Sequence, residues 1–339
     1  MTPLSLNHIN ALLISGAIIS SLFFNGTDIR FFALTFILFI GWIINTSVEV
    51  YRQGVPVGNL LIPLFVVLFW AWLGISIAFS QVLYLSIINF WWVGIFPLAF
   101  IIYSLSNNKD LLYKYIFISL TIVIFSLCIY ALIQLVIFHD QPRATFFNKN
   151  SLAALVNLQL FPLLAAALLA NSKKQIYALS APIFIFALLL GLINSRGALL
   201  AFMISLVVML LLTVSTQNKR RLLLPGLLLV AAFITAQLAL PSTPLATETD
   251  ILENISTLQD TDSAGRSRFV IWEPAWKLFT QNTWTGIGLG TYFLTIPPYL
   301  HPDDHSAGYY VHNDYLQIGL ETGLPGLILL LAILFSVLY

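Results

Sequence analysis

Long apolar runs alternate with short polar breaks along almost the whole chain. A helix needs about 20 mostly apolar residues, at ~1.5 Å of rise each, to cross the hydrocarbon core of a bilayer. Ten runs meet or approach that length: residues 8–24, 31–49, 60–79, 82–104, 112–138, 151–170, 176–194, 197–216, 222–240 and 313–338. The first is short and contains His8 and Asn10. It has no basic leading segment and no small-residue cleavage pattern, so an uncleaved span is expected rather than a signal peptide. One long hydrophilic segment, residues 241–312, separates the ninth run from the tenth. There is no internal repeat, low-complexity tract or separate soluble domain. The predicted fold class is an all-α polytopic membrane protein, one membrane domain over residues 1–339 with a large loop at 241–312 inside it.

Composition narrows the function classes. Of 339 residues, 59% are hydrophobic and 9% are Asp, Glu, Lys or Arg, with a mean hydropathy of +0.92. Soluble domains carry about 25% charged residues. An ordinary cytosolic enzyme, a disordered tail protein and a nucleic-acid binder are excluded, the last because it needs a basic surface. The single cysteine, Cys128, lies in an apolar run, which excludes an internal disulfide framework and a cysteine metal site.

Charge placement orients the chain. With the N-terminus cytoplasmic, inner loops hold Arg52, Lys109, Lys114, Lys173, Lys174, Lys219, Arg220 and Arg221. Short outer loops hold Arg30, Arg143, Lys149 and Arg196. The remaining outer cations, Arg266, Arg268 and Lys277, lie in the long loop, and long loops translocate regardless of charge. The bias favours an N-in topology, with residues 241–312 outside. From Glu248 to Asp314 that region collects nine of the fourteen acids.

Four outer-side features carry candidate chemistry. Residues Arg143 to Asn150 set two cations and two amides where the chain re-enters the membrane. They suit either an interfacial belt of snorkelling cations or a ligand site. Asn194-Ser195-Arg196-Gly197 joins two spans so tightly that Arg196 lies at membrane depth or just above it. An arginine there is either a structural partner of helix-end carbonyls or the ligand of an anion. Gly265-Arg266-Ser267-Arg268 precedes Phe269, Trp272, Trp276 and Phe279, an aromatic helical face suited to a membrane surface, in a helix that Pro274 should kink or delay. Guanidinium forks match phosphate oxygens better than ammonium does. The fourth feature, His312-Asn313-Asp314-Tyr315-Leu316-Gln317, opens the last span. His312 there is either a polar cap or a general base, since the positive end of a helix favours the neutral imidazole that can accept a hydroxyl proton. Asn313, Gln317 and Glu321 continue as a polar stripe into the membrane. Two weaker patterns are set aside. Gly286-Ile287-Gly288-Leu289-Gly290 lacks the flanking strand and helix of a phosphate loop and reads as a turn. His301-Pro302-Asp303-Asp304-His305 lacks the geometry of a metal site, so no metal or other cofactor is expected.

Taken in order, these features resemble the O-antigen ligase and polymerase superfamily of bacterial envelope membrane glycosyltransferases, which includes protein O-oligosaccharyltransferases. The resemblance is carried by Phe147-Asn148-Lys149-Asn150, by Asn194-Ser195-Arg196-Gly197-Ala198-Leu199-Leu200-Ala201, by Gly265-Arg266 with Trp272, and by His312-Asn313-Asp314-Tyr315-Leu316-Gln317 through Gly326. It runs from about residue 140 to the end. It implies a fold like that of the C-type glycosyltransferases. It also implies inverting transfer of a glycan from undecaprenyl diphosphate to an acceptor hydroxyl at the outer face of the inner membrane, without nucleotide sugar or metal. The acceptor would be lipid A–core for a ligase, a further glycan for an O-antigen or exopolysaccharide polymerase, or a protein hydroxyl. Matched by position, His312 would be the catalytic base and Arg196 and Arg266 the diphosphate ligands. Arg143, Lys149, Arg268 and Asn313 would be secondary contacts. Members of the superfamily usually continue with further spans beyond this last helix, so truncation at the C-terminus is an expectation. A different class, a transporter of lipid-linked sugars, would place charged groups near the bilayer midplane, whereas these spans are nearly free of charge.

Overall fold

The computed structural model describes residues 6–23, 29–56, 61–213, 219–239, 266–300 and 308–338. Among them there is no strand, and ten helices are long and apolar enough to cross a membrane. The protein is an all-α, multi-span membrane protein. Its helices are α1 (Leu6–Phe23), α2 (Ile29–Gln53), α3 (Leu61–Ser76), α4 (Leu83–Leu105), α5 (Lys109–Val136), α6 (Lys149–Leu169), α7 (Lys173–Ile193), α8 (Arg196–Thr213), α9 (Leu223–Ala239), α10 (Arg266–Gln281) and α11 (Asp314–Leu338). All ten expected spans are present, and α10 is the additional helix within the hydrophilic segment. The His301–His305 pattern lies outside the described residues, as do residues 240–265 of the long loop.

The chain divides into two compact units, Met1–Trp42 with Asp110–Leu258, and Ile43–Lys109 with Gln259–Tyr339. The core of the first unit is built on α5 to α9, where Leu127, Leu160, Phe186 and Ala232 are fully buried. Local signals fix the helix ends. Asn148 caps α6 by accepting the Asn150 N–H at 2.8 Å. Ser172 and Gln175 form a reciprocal capping box on α7, and Asn194 ends that helix in the left-handed conformation. At one end of this unit Leu135, Leu192 and Ala236 cluster, so the C-terminal ends of α5, α7 and α9 meet there. The 137–148 loop and the Asn194–Ser195 turn leave from that same end.

In the second unit, α3 packs along α11, and α10 packs on α11. The last span is not one continuous helix. Gly323 breaks it with φ 75° and ψ 176°, a region open essentially to glycine alone. The broken helix leaves carbonyls that need partners. Residue 321 would normally be paired by residue 325, but Pro325 has no N–H. Instead the Gly288 N–H donates to the Glu321 carbonyl and the Ile287 N–H to that of Leu320, both at 3.0 Å. The Trp72 indole N–H of α3 donates to the Thr322 carbonyl at 2.8 Å. Below the break, the Leu324 N–H donates to the Thr283 carbonyl at 2.7 Å. The Gly286–Gly290 turn is therefore a strap across a broken helix. It is tied on its other side to the α3–α4 connection, where Gln81 N–H donates to the Ile287 carbonyl at 3.0 Å, and to the first turn of α4, where Ser86 Oγ–H donates to that of Leu289 at 3.0 Å.

Candidate active site

The candidate residues fall into two groups, one in each unit. Arg143, Lys149 and Arg196 belong to the first, and all three leave from the end marked by Leu135, Leu192 and Ala236. The 137–148 loop is shaped by Gln134, a buried amide on α5. Its Oε1 accepts the Ala144 N–H at 2.7 Å, and its Nε2–H donates to the Ala144 carbonyl at 2.9 Å. This two-point clamp holds Ala144 at φ 51° and fixes the neighbouring Arg143. Arg143 is exposed and pairs with Asp140 at 3.6 Å, a surface ion pair worth little by itself. Lys149 opens α6, beside the 92% exposed ring of Phe147.

Arg196 is placed by a two-residue connection. Asn194 ends α7 with φ 49°, Ser195 follows, and Arg196 is the first residue of α8. The sequence expectation of a very tight joint holds. Asn157 of α6 donates from Nδ2 to the Ala198 carbonyl at 2.7 Å. Asn157 lies eight residues beyond Lys149 and Ala198 two beyond Arg196, so Arg196 sits about 9 Å deeper along these helices than Lys149 at 1.5 Å per residue. Its side chain is half-buried.

His312 lies in the second unit, between two fixed anchors. On one side Val311 is fully buried, its carbonyl accepting the Trp272 indole N–H at 3.0 Å and its N–H facing Gln317 Oε1 at 3.4 Å. On the other, Asn313 caps α11 by accepting the Leu316 N–H at its Oδ1, 3.1 Å. His312 itself is exposed and has φ 54°, the left-handed region that few non-glycine residues adopt. Such an outlier persists where the surroundings over-determine it. Below it, Gln317 Nε2–H donates to Glu321 Oε1 at 3.2 Å, and Glu321 Oε2 accepts the Gly290 N–H at 2.7 Å. Of the polar stripe read from sequence, Gln317 and Glu321 thus form a chain of bonds from the strap to the backbone before His312, while Asn313 serves as the cap.

Trp272 ties the helix that begins at Arg266 to the histidine. Six helical residues, about 9 Å, separate Arg266 from Trp272. The side chains of Arg266 and Arg268 lie outside the described residues. The helix runs through Pro274 from a start at Arg266, so the proline does not delay it. Its buried stripe is Ile271, Ala275 and Leu278, beside the aromatic face expected from spacing. Of that face, Phe269 and Trp276 are exposed, whereas Phe279 is buried and Trp272 packs beside it. Trp272 thus has a structural bond that aromatic periodicity does not reveal. Its replacement by phenylalanine should leave the buried Val311 carbonyl without this donor, at about 1–3 kcal/mol. A lowered thermal midpoint together with a slower initial rate is expected. Wild-type values of both would remove Trp272 from the positioning of His312.

Residues 181–331 match the model of the O-antigen ligase family. This stretch is similar to O-antigen ligases. The matched residues include Arg196, Arg266, Arg268, His312 and Asn313, while Arg143 and Lys149 precede them. Among curated proteins, a search gave no match. The match over residues 181–331 supports a function of the general O-antigen ligase and polymerase type, in a family whose members are membrane glycosyltransferase-like enzymes.

Proposed function

We propose that the protein transfers a glycan from undecaprenyl diphosphate to an acceptor hydroxyl at the outer face of a bacterial inner membrane, acting as a ligase. The observation that carries this reading is the over-determined backbone at His312, inside the stretch similar to O-antigen ligases and bonded through Trp272 to the helix that starts at Arg266. The imidazole takes the proton of the acceptor hydroxyl. The acceptor oxygen then forms a bond to the anomeric carbon, with inversion, as the bond from that carbon to the diphosphate breaks. Undecaprenyl diphosphate departs with the electron pair. Arg196 and Arg266 bind that diphosphate and stabilise its developing charge, as preorganised cations do in a water-poor site. Arg143, Lys149, Arg268 and Asn313 make secondary contacts with phosphate or sugar.

The direct test supplies purified protein with undecaprenyl-diphosphate glycan and a lipid A–core acceptor. Ligated product is expected, and its absence together with chain extension on the lipid carrier would instead identify a polymerase. Arg196→Lys and Arg266→Lys each keep the charge but lose the planar two-point fork. Each is expected to reduce kcat/KM by about 10-fold or more, in line with the loss of one charge-assisted bond of roughly 1.5–3 kcal/mol. Wild-type kinetics in both variants would remove the diphosphate role.

A further inference from the structure

The first half of α11 has a different surface on each flank. On the side of α10 lies an apolar groove of about 610 Å³, walled by Phe269, Trp276 and Leu327 among others. On the opposite side lies a cleft of about 700 Å³ of mixed apolar and polar lining that includes Phe293, Tyr309, Tyr310, Asp314, Gln317 and Glu321. We propose that this second cleft binds a sugar ring of a saccharide acceptor and presents its hydroxyl to His312. The proposal rests on the transferase reading and adds to it where the acceptor sits.

Position is the first argument. Tyr310 and Asp314 each stand two residues from His312, one before it and one after, so the cleft borders the segment that carries the imidazole. A ring seated there would lie next to the segment that carries the imidazole, although His312 itself does not line the cleft. Chemistry is the second. A sugar ring has apolar C–H faces and a hydroxyl rim. The rings of Phe293 and Tyr309 lie 6.2 Å apart at 34°, and Tyr309 and Tyr310 are exposed, which offers flat surfaces for the faces. Asp314, Gln317 and Glu321 line the same wall and offer carboxylate and amide groups for the rim. Glu321 is only 3% exposed and is held by Gly290 and Gln317, so this polar anchor is fixed in advance.

Charge supplies the third argument. The exposed Asp314 carboxylate in this wall repels an anionic diphosphate, so the cleft suits the neutral, hydroxyl-rich partner of the reaction rather than the donor's head group. An extended peptide acceptor would seek backbone partners, and the Gly290 N–H in this wall is already bonded to Glu321.

The test uses the full chain in lipid nanodiscs with Tyr310→Ala and Asp314→Asn. Two quantities are measured: binding of core oligosaccharide by saturation-transfer NMR without donor, and KM for each substrate during turnover. Oligosaccharide binding and the acceptor KM are expected to worsen about tenfold in each variant, with the donor KM within twofold of wild type. Unchanged acceptor KM in both variants would overturn the proposal. So would a raised donor KM with normal acceptor KM, which would assign the cleft to the donor glycan. A serine-containing peptide that binds in place of the oligosaccharide, with the same sensitivity to both variants, would also overturn it. Variant-sensitive oligosaccharide binding with no transfer by wild type would keep the sugar cleft and remove the transferase reading. Normal transfer with insensitive variants would do the reverse.

Discussion

Replacement of His312 by alanine is expected to lower the transfer rate by about 10²–10⁴-fold, the usual contribution of a positioned general base. The side chain is exposed, so its removal leaves no cavity in the core. Its neighbours are secured independently, Val311 by Trp272 and Asn313 by the helix it caps. The loss should therefore appear in turnover, with the thermal midpoint little changed. One complication is the backbone, because φ 54° is less comfortable for alanine than for histidine. His312→Asn separates the two effects. Asparagine tolerates the left-handed region well but cannot act as the base. Both variants should be equally slow, and the asparagine variant should match wild-type stability. A folded His312→Asn protein with full turnover would eliminate the base role. Slow turnover in the alanine variant alone would trace the defect to backbone strain.

Much of this arrangement is legible along the chain, for identifiable reasons. Span number follows from run length, because a bilayer demands about 20 apolar residues whatever the fold. The tight joint at Arg196 is legible because Asn194, Ser195 and Gly197 interrupt an apolar run for only a few positions. The break at Gly323 is not. Hydropathy reports whether a segment prefers lipid, and Gly323-Leu324-Pro325-Gly326 is apolar enough to pass as continuous helix. The groups that satisfy the broken helix come from Trp72 and from the 283–288 segment. Trp72 is 250 residues away in sequence. Trp272 is obscured for a related reason: spacing identifies an aromatic face but not which ring has a polar bond to make. Gln134 is the converse, a lone amide in an apolar run whose cost of burial signals a partner, though not that the partner is Ala144.

The strap predicts the largest stability effect in the protein. Gly323→Ala is expected to destabilise it by about 4 kcal/mol or more, the sum of two costs. An L-residue held at φ 75° and ψ 176° costs roughly 1–3 kcal/mol. A β-carbon at this position would also run into the Trp284 carbonyl, while one at Gly286 would meet that of Glu321. The two backbones are in direct contact at both places, so neither can relax by turning a side chain. Moving residues 284–288 away withdraws Ile287 and Gly288 from the orphaned carbonyls, and each unsatisfied buried group costs about 1–3 kcal/mol. Gly319→Ala is the control, because its new carbon would stand 3.4 Å from Leu327, ordinary contact or slightly tighter. Thermal unfolding in one detergent should place Gly323→Ala far below both wild type and this control. Equal midpoints for the two variants would show that the break does not depend on glycine. If the break does depend on it, activity should fall as well. The strap ends at Gly290, whose N–H holds Glu321, and Glu321 leads through Gln317 to the backbone before His312. A defect at the break then reaches the backbone beside His312 through four residues of one hydrogen-bonded chain.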